Sequence, residues 1–172
     1  MTSPTNMPTI CRLLQLSAAE AASLPAQPGN LIQSVESAKI YADVYRYWHA
    51  IQYLLVRHRP ASPQINWLDL GRAVSAGTED IPAARVLPPA EVKQLDALLR
   101  QIEPDELIPH YAADALDKAA IYPRTWTEWE ETFDPLGQVL EHYSFLREFV
   151  GKRASAGDGL LLYFVFLDEG TV

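Results

Sequence analysis

The sequence predicts an α+β fold dominated by helices, with a small sheet that pairs strands from the N- and C-terminal ends of the chain. Three observations predict it: an Ile- and Leu-rich segment near the start, an eight-residue apolar run near the end, and amphipathic helical patterns between them. With 172 residues, 48% of them hydrophobic, the chain has the size and composition of one globular domain. We expect a single domain over residues 1–172, in which residues 1–7 form a flexible tail.

The N-terminal segment predicts a strand followed by a short helix. The strand is PTICRLLQL, residues 8–16, and it contains the lone cysteine, Cys11, which we expect to be buried and unreactive. Ser17 opens the pattern S-A-A-E, in which Glu20 completes a capping box, so a helix should run to about Leu24. A second helical stretch is predicted in LIQSVESAKI, residues 31–40.

The segment YRYWHAIQYLL, residues 45–55, predicts a helix that carries one of the four histidines. Asp43 is a suitable N-cap for it. Its apolar stripe at helical spacing is Val44, Trp48, Ile51 and Leu55. At 100° per residue, Tyr45, His49 and Gln52 fall together on a second, mixed face. We expect that face to be solvated or to line a groove.

The middle of the chain predicts loops and short elements. Residues 57–87 are rich in loop-forming residues, with a helical turn in NWLDLGRAV and a strand near Ala84–Leu87. Pro88 and Pro89 then begin a helix that extends to about Ile102.

The C-terminal third predicts more helices and a closing strand. Pro104 begins a short helix, and a helical turn follows at about residues 113–120. Asp134 and Pro135 form an N-cap and first position for the clearest amphipathic helix, which we expect Gly151 and the SAGDG stretch, residues 155–159, to end. Residues 160–167, LLLYFVFL, are apolar on both strand faces, so this strand should lie inside the fold.

The net charge of −8 is concentrated in one part of the chain. Residues 101–142 hold ten acids and two bases, whereas the remaining residues hold twelve of each. This balance argues against nucleic acid, which needs a basic footprint, and favours a basic protein as partner. Acidic faces that only keep the protein in solution are the alternative interpretation. The candidate partner-binding residues are Glu103, Asp105, Glu106, Asp114, Asp117, Glu128, Glu130, Glu131 and Asp134.

The sequence shows none of the common catalytic or cofactor motifs. It lacks G-x-S-x-G, the phosphate-binding glycine patterns, H-x-x-x-H and C-x-x-C, so we predict no catalytic residue, no metal and no cofactor. The acids beside Trp126 and Trp129 would suit a sugar-binding platform, but they are equally typical of an acidic first helical turn. No signal peptide is visible, and an eight-residue apolar run is too short to span a bilayer, so we expect a cytoplasmic protein without membrane contact.

Two segments carry a resemblance to a known family. One is YWHAIQYLL, residues 47–55, and the other runs from RVLPPAEVKQLDALL through DELIPHY and IYPRTW to LLLYFV, residues 85–165. They resemble the YfbM-like family of small bacterial proteins, a domain of unknown function. The opening PTICRLLQLSAAEAASL fits as well, so the resemblance covers nearly the whole chain. It implies an α+β fold and no established reaction.

The family pattern also bears on single residues. Its tryptophan–histidine helix usually reads W-H-x-L-H-Y-L-L, and here Trp48 and His49 match while Gln52 takes the place of the second histidine. This departure weakens the expectation of a ligand pair or acid–base couple. Tyr122 and Trp126 match the family's I-Y-P-x-x-W signature, which we expect to be an aromatic clamp on the turn into the next helix.

Two functional hypotheses follow from the sequence. The first is a non-enzymatic bacterial protein-binding domain, such as an immunity protein that blocks a basic toxin through its acidic surface. The second is a small-ligand binder or enzyme with a groove around the tryptophan–histidine helix. The candidate groove residues are Tyr45, His49, Gln52, Tyr122 and Trp126.

Overall fold

The fold is an antiparallel sheet with its main helices on one face. The structure is a computed structural model that describes residues 9–24, 40–62, 65–77 and 82–166. The strands are β1 (Thr9–Leu16), β2 (Tyr41–Tyr45), β3 (Arg72–Ala73), β4 (Arg85–Leu87) and β5 (Gly159–Phe166). Their order in the sheet is β2-β1-β5-β4-β3. The predicted tail at 1–7 and most of the predicted helix at 31–40 lie outside the described residues.

The two chain ends form the centre of the sheet, as predicted. β1 and β5 pair along their full lengths, from Thr9 opposite Phe166 to Leu16 opposite Gly159. Apolar residues alternate between the faces of both strands, since Leu160 and Leu162 join one core cluster and Leu161 and Tyr163 the other. Both strands are therefore covered on both faces, which explains why β5 is almost continuously apolar.

The helices are positioned by caps that the sequence reveals. They are α1 (Ala18–Ser23), α2 (Trp48–His58), α3 (Pro89–Leu99), α4 (Ala113–Lys118), α5 (Trp126–Glu130) and α6 (Pro135–Ala156), with 3₁₀ helices at Trp67–Asp69 and Pro104–His110. The Ser17–Glu20 capping box of α1 forms as predicted. The Asp134 carboxylate accepts a hydrogen bond from the Gly137 backbone at 2.9 Å and so caps α6.

The larger core lies between the sheet and α2, α3 and α6. It buries the three tryptophans Trp48, Trp67 and Trp126 together with Tyr143. The opposite face of the sheet is covered by a smaller cluster to which α1 contributes Ala21. Cys11 lies in the larger core with no exposed surface, and burial raises the pKa of its thiol, so the expectation of an unreactive cysteine is confirmed.

The prediction that Asp43 caps the tryptophan–histidine helix is wrong. Residues 41–45 form strand β2, and α2 begins only at Trp48. The Asp43 carboxylate instead accepts hydrogen bonds from Arg12 Nε and Nη2 at 2.6 and 3.0 Å, directly across from it on β1. The cross-strand ion pair and the strand-favouring Tyr and Val residues of β2 stabilise a strand more than Asp43 would stabilise a helix start. Strand pairing depends on residues of the neighbouring strand, which the local sequence pattern does not show.

Of the two predicted ends of the long helix, Gly151 is wrong, whereas the SAGDG stretch at residues 155–159 is confirmed. α6 continues to Ala156 and is capped by Gly157 in the left-handed region, at φ +75°. Gly151 is buried, and a Cβ there would lie 3.1 Å from Asp96 Oδ1 and 3.3 Å from Arg100 Nη2. The glycine therefore permits the close approach of α6 to α3.

Candidate functional site

His49 joins α2 to the turn that precedes α5. Its Nδ1 accepts a hydrogen bond from the Tyr122 backbone N–H at 3.0 Å, so the neutral ring carries its proton on Nε2. The Trp48 ring stacks on both rings, at 5.0 Å from His49 and 5.6 Å from Tyr122. Burial, aided by the charge of Arg124, lowers the pKa of His49. The ring is thus held neutral by a structural contact.

Gln52 and Trp126 are committed to internal hydrogen bonds. Gln52 is buried, its amide nitrogen donates to the Ile65 carbonyl at 3.1 Å, and its oxygen accepts from the Leu68 N–H at 3.4 Å. The Trp126 indole is fully buried and donates to the Ile121 carbonyl at 2.9 Å. This bond provides the clamp on the 121–126 turn that the sequence predicts.

The five candidate groove residues are only partly brought together. His49 and Tyr122 are in contact, whereas Tyr45, at the end of β2 and not on the helix, packs its ring 6.0 Å from that of His142 on α6. Gln52 is not on a solvated face or groove wall, since loop residues 65–68 cover it. The prediction of a shared helical face fails because Tyr45 precedes the helix.

A shallow groove of ≈ 660 Å³ lies elsewhere, along α6 beside Arg100. The cations that line it include Arg147 and Lys152, which form ion pairs with Glu103 and Glu148 at 2.9 and 2.5 Å. Because these cations are paired with carboxylates, the groove has little positive charge left to bind an anion. Within the described ranges, no group of three or more His, Cys, Asp or Glu side chains is arranged to hold a metal ion.

Most candidate acids between 103 and 117 are occupied within the protein. Glu103 binds Arg147 through two contacts of 2.9 Å, which lower its pKa, and Asp114 binds Lys118 at 2.9 Å. Glu106 accepts a hydrogen bond from the Glu103 N–H at 2.7 Å. Asp105 is exposed.

The Asp117 carboxylate is engaged in hydrogen bonds within the protein. Its carboxylate accepts hydrogen bonds from the Trp126 N–H at 2.8 Å and from the Thr127 N–H and hydroxyl at 3.0 and 2.7 Å, at the start of α5. Partial burial acts to raise the pKa of Asp117, but these hydrogen bonds lower it on balance. The residue therefore holds α4 to α5 and is poorly suited to meet a partner.

The acids between 128 and 141 have a different environment. The sequence contains no Lys or Arg between Arg124 and Arg147. In the part of the chain that the structure describes, no ion pair reaches this group, which consists of Glu128, Glu130, Glu131, Asp134 and Glu141. Burial and the negative charges of Glu130 and Asp134 raise the pKa of the nearby Tyr111 hydroxyl.

A row of aromatic rings borders these acids. Its central rings are Tyr47 and His142, whose centroids are 4.7 Å apart. Trp129 lies 6.2 Å from Tyr47 and 5.2 Å from Phe133, and Phe145 lies 6.1 Å from His142. Phe145, Phe133 and Tyr45 are 51%, 41% and 37% exposed, respectively.

We define the aromatic–acidic face as these exposed rings and the acids beside them. Its members are Tyr45, Trp129, Phe133, His142, Phe145, Glu128, Glu130, Glu131, Asp134 and Glu141. Burial is the main cause of the raised pKa of Tyr47, one of the central rings, and the negative charge of Glu141 adds to it. Sequence reasoning placed Trp129 beside these acids and Tyr45 in a groove, but it missed Phe133, His142 and Phe145, and the contacts of Tyr45 and Tyr47 with His142 form only when the end of β2 is placed against α6.

Comparisons with known proteins identify the family and the fold. The family model described as "Domain of unknown function (DUF1877)" matches residues 7–163. The crystal structure of YfbM from Escherichia coli, a protein of unknown function, is similar with a TM-score of 0.63 at 17% identity, over 91% of this chain and 99% of that one. No curated protein matches the chain.

The structure adds one finding on membranes. Over the described residues, no helix is both long and apolar enough to cross a bilayer.

The resemblance carried by the tryptophan–histidine helix and the I-Y-P-x-x-W signature agrees with these comparisons. It is supported by the α+β architecture, by the matched span of the family model and by the fold shared with YfbM. The chain belongs to the DUF1877 family.

Proposed function

We propose that this chain is a non-enzymatic protein-binding domain that acts in the bacterial cytoplasm as an immunity protein against a basic toxin. The aromatic–acidic face is its docking surface. The observation that carries the proposal is that the acids at 128–141 lack ion pairs with described cations and lie beside exposed aromatic rings. Neighbouring exposed rings with a polar rim are typical of interaction surfaces, and carboxylates without ion pairs remain available to attract a basic partner.

The two components of the face have different roles in binding. The carboxylates attract a basic partner over a distance and increase the association rate, more strongly at low salt. The rings of Phe133, Phe145 and Tyr45 provide apolar area that a partner can desolvate, and aromatic residues are the usual anchors of interfaces. One cation lies at the edge, since the Arg46 guanidinium is 5.9 Å from the Tyr45 ring. The net field of the face remains negative.

The alternative, a small-ligand groove around α2, has less support. Of its five candidate residues, Gln52 and Trp126 are buried with their polar atoms bonded to backbone groups. The contact between His49 and Tyr122 joins a ring nitrogen to a backbone N–H, which leaves that nitrogen no free lone pair for a ligand.

The electrostatic component is tested with two double variants of equal charge. Glu128→Gln with Glu131→Gln removes two charges from the face, and Asp114→Asn with Glu148→Gln removes two exposed acids that form ion pairs elsewhere. Each pair changes the net charge from −8 to −6. The binding partner is the basic toxin domain that the proposal requires, in purified form, and the readout is the association rate by stopped-flow or surface plasmon resonance.

The face variant should lower the association rate about 3- to 10-fold at low salt, with little effect at high salt, and the control should change it far less. Equal rates for both double variants would contradict the proposed docking surface. An association rate of the native chain that does not depend on salt would remove the electrostatic argument altogether.

The aromatic component has a control matched in exposure. Phe145 on the face and Phe166 at the end of β5 are both 51% exposed. Phe145→Ala should increase the dissociation rate by about 10-fold or more, as expected for an interface anchor, whereas Phe166→Ala should leave it nearly unchanged. Both variants should keep native stability to within about 0.5 kcal/mol. An equal effect of both substitutions would contradict the assignment of Phe145.

A further inference from the structure

The fold brings together two histidines that the sequence separates by 52 positions. His58 is the last residue of α2, and His110 is the last residue of the 3₁₀ helix Pro104–His110. His58 Nδ1 lies 3.2 Å from His110 Nε2, with the two ring planes close to perpendicular and the centroids 5.3 Å apart. Neither residue belongs to the aromatic–acidic face, so the pair requires an explanation of its own.

The distance between the two nitrogens suits one metal ion. Two histidine nitrogens bound to a tetrahedral zinc at 2.0–2.1 Å lie about 3.3 Å apart. We propose that His58 and His110 bind a first-row divalent metal ion that favours imidazole, such as Zn²⁺ or Ni²⁺, with water molecules as the remaining ligands. In the metal-free protein the same two nitrogens share a proton, which the metal displaces to solvent.

The Glu106 carboxylate is within ion-pair distance, though not hydrogen-bond distance, of His58 and would serve as the outer contact of the proposed site. Its Oε1 lies 4.0 Å from His58 Nε2, the ring nitrogen that faces away from His110. Its other oxygen accepts a hydrogen bond from the Glu103 N–H at 2.7 Å, which fixes the carboxylate. A carboxylate on the far nitrogen of a ligating histidine orients the ring and increases its basicity.

The neighbouring cations are engaged in other contacts. The Arg57 guanidinium lies 5.0 Å above the Tyr53 ring, and Arg59 donates hydrogen bonds to the side chain and carbonyl of Gln101 at 3.0 and 3.1 Å. A site with two protein ligands is also consistent with the described residues holding no larger group of metal-ligating side chains. The buried thiol of Cys11 does not compete for the metal.

Calorimetric titration of the full chain with ZnCl₂, after removal of metals by a chelator, tests the site. We expect one Zn²⁺ per native chain, no binding at this stoichiometry in His58→Ala or His110→Ala, and native binding in the control His142→Ala. Circular dichroism of each metal-free variant verifies that it is folded. The absence of one-to-one binding by the native chain, or native binding by a folded His58→Ala variant, would overturn the proposal.

Glu106→Gln provides a second test that keeps both ligands. It should retain the stoichiometry and weaken the affinity about 10-fold, as expected for loss of an outer-shell carboxylate. The native chain should also show zinc-dependent shifts of the His58 and His110 ring resonances by NMR, with those of His49 unchanged. Shifts at His49 or His142 in place of the pair would contradict the assignment even if the alanine variants do not fold.

Discussion

The hydrogen bond between Tyr122 N–H and His49 Nδ1 predicts that the protein loses stability in mild acid. A protonated ring would carry a proton on Nδ1 and could no longer accept from Tyr122. Burial, with the charge of Arg124, lowers the pKa of His49 in the folded state, whereas the unfolded chain has a histidine pKa near 6.5. The unfolded state therefore binds the proton more readily, and protonation favours unfolding.

The pH window and the size of the effect follow from the same contact. The contribution of neutral His49 to the free energy of unfolding is fully present above about pH 6.5. It is lost as the pH falls from there towards the lower pKa that His49 has in the folded protein. One titrating group gives a slope of at most about 1.4 kcal/mol per pH unit. We expect a total loss of about 1–3 kcal/mol, the usual cost of leaving a buried donor without its partner.

The assay is urea unfolding at pH 5 to 8 of the native chain and of His49→Asn. The asparagine Oδ1 can accept from Tyr122 N–H near the position of Nδ1 but does not titrate, so the difference between the two proteins isolates His49. Both proteins contain the other three histidines, His58, His110 and His142, so the effect of their titration cancels in the difference. A difference in unfolding free energy between the two proteins that stays constant from pH 8 to pH 5 would rule out this role of His49.

Four further substitutions test the internal contacts by urea unfolding followed by circular dichroism. Trp126→Ala should cost about 3–5 kcal/mol and Trp126→Phe about 1–3 kcal/mol, because the second keeps most of the ring but removes the indole hydrogen bond to the Ile121 carbonyl, which then accepts only from the Arg124 N–H; equal costs would contradict the clamp. Asp117→Ala should cost about 1–2 kcal/mol through loss of the α5 cap, and a neutral result would place its carboxylate elsewhere. Gly157→Ala should cost about 1 kcal/mol for its positive φ alone, since a Cβ there meets no atom within 4 Å; a stabilising effect would contradict that backbone.

The central strands and the capped helices could be predicted because their determinants are local. The apolar run that forms β5 needs cover on both faces, and the Ser17 and Asp134 caps begin α1 and α6 where the sequence indicates. The strand predicted near Ala84–Leu87 is β4 (Arg85–Leu87), and this prediction is confirmed. Strands β2 and β3 could not be predicted. β2 depends on Arg12, some 30 residues earlier, for its ion pair, and β3 has only two residues.

The candidate site shows the same division between local and distant determinants. Composition located the acidic part of the chain, but it could not distinguish Glu103, neutralised by an arginine 44 residues later, from Glu131, which has no ion pair among the described residues. The whole aromatic row could not be predicted because Tyr45, on β2, becomes a neighbour of His142 only in the folded chain. The His58–His110 pair was hidden for the same reason.

Hydrogen exchange with and without the proposed basic partner gives the sharpest test of the docking surface. Binding should slow exchange in peptides from β2 through Tyr47 and from Trp126 to Leu146, which carry the aromatic–acidic face. Slower exchange confined to residues 103–118 or to the His49–Tyr122 contact, with no change on that face, would contradict it.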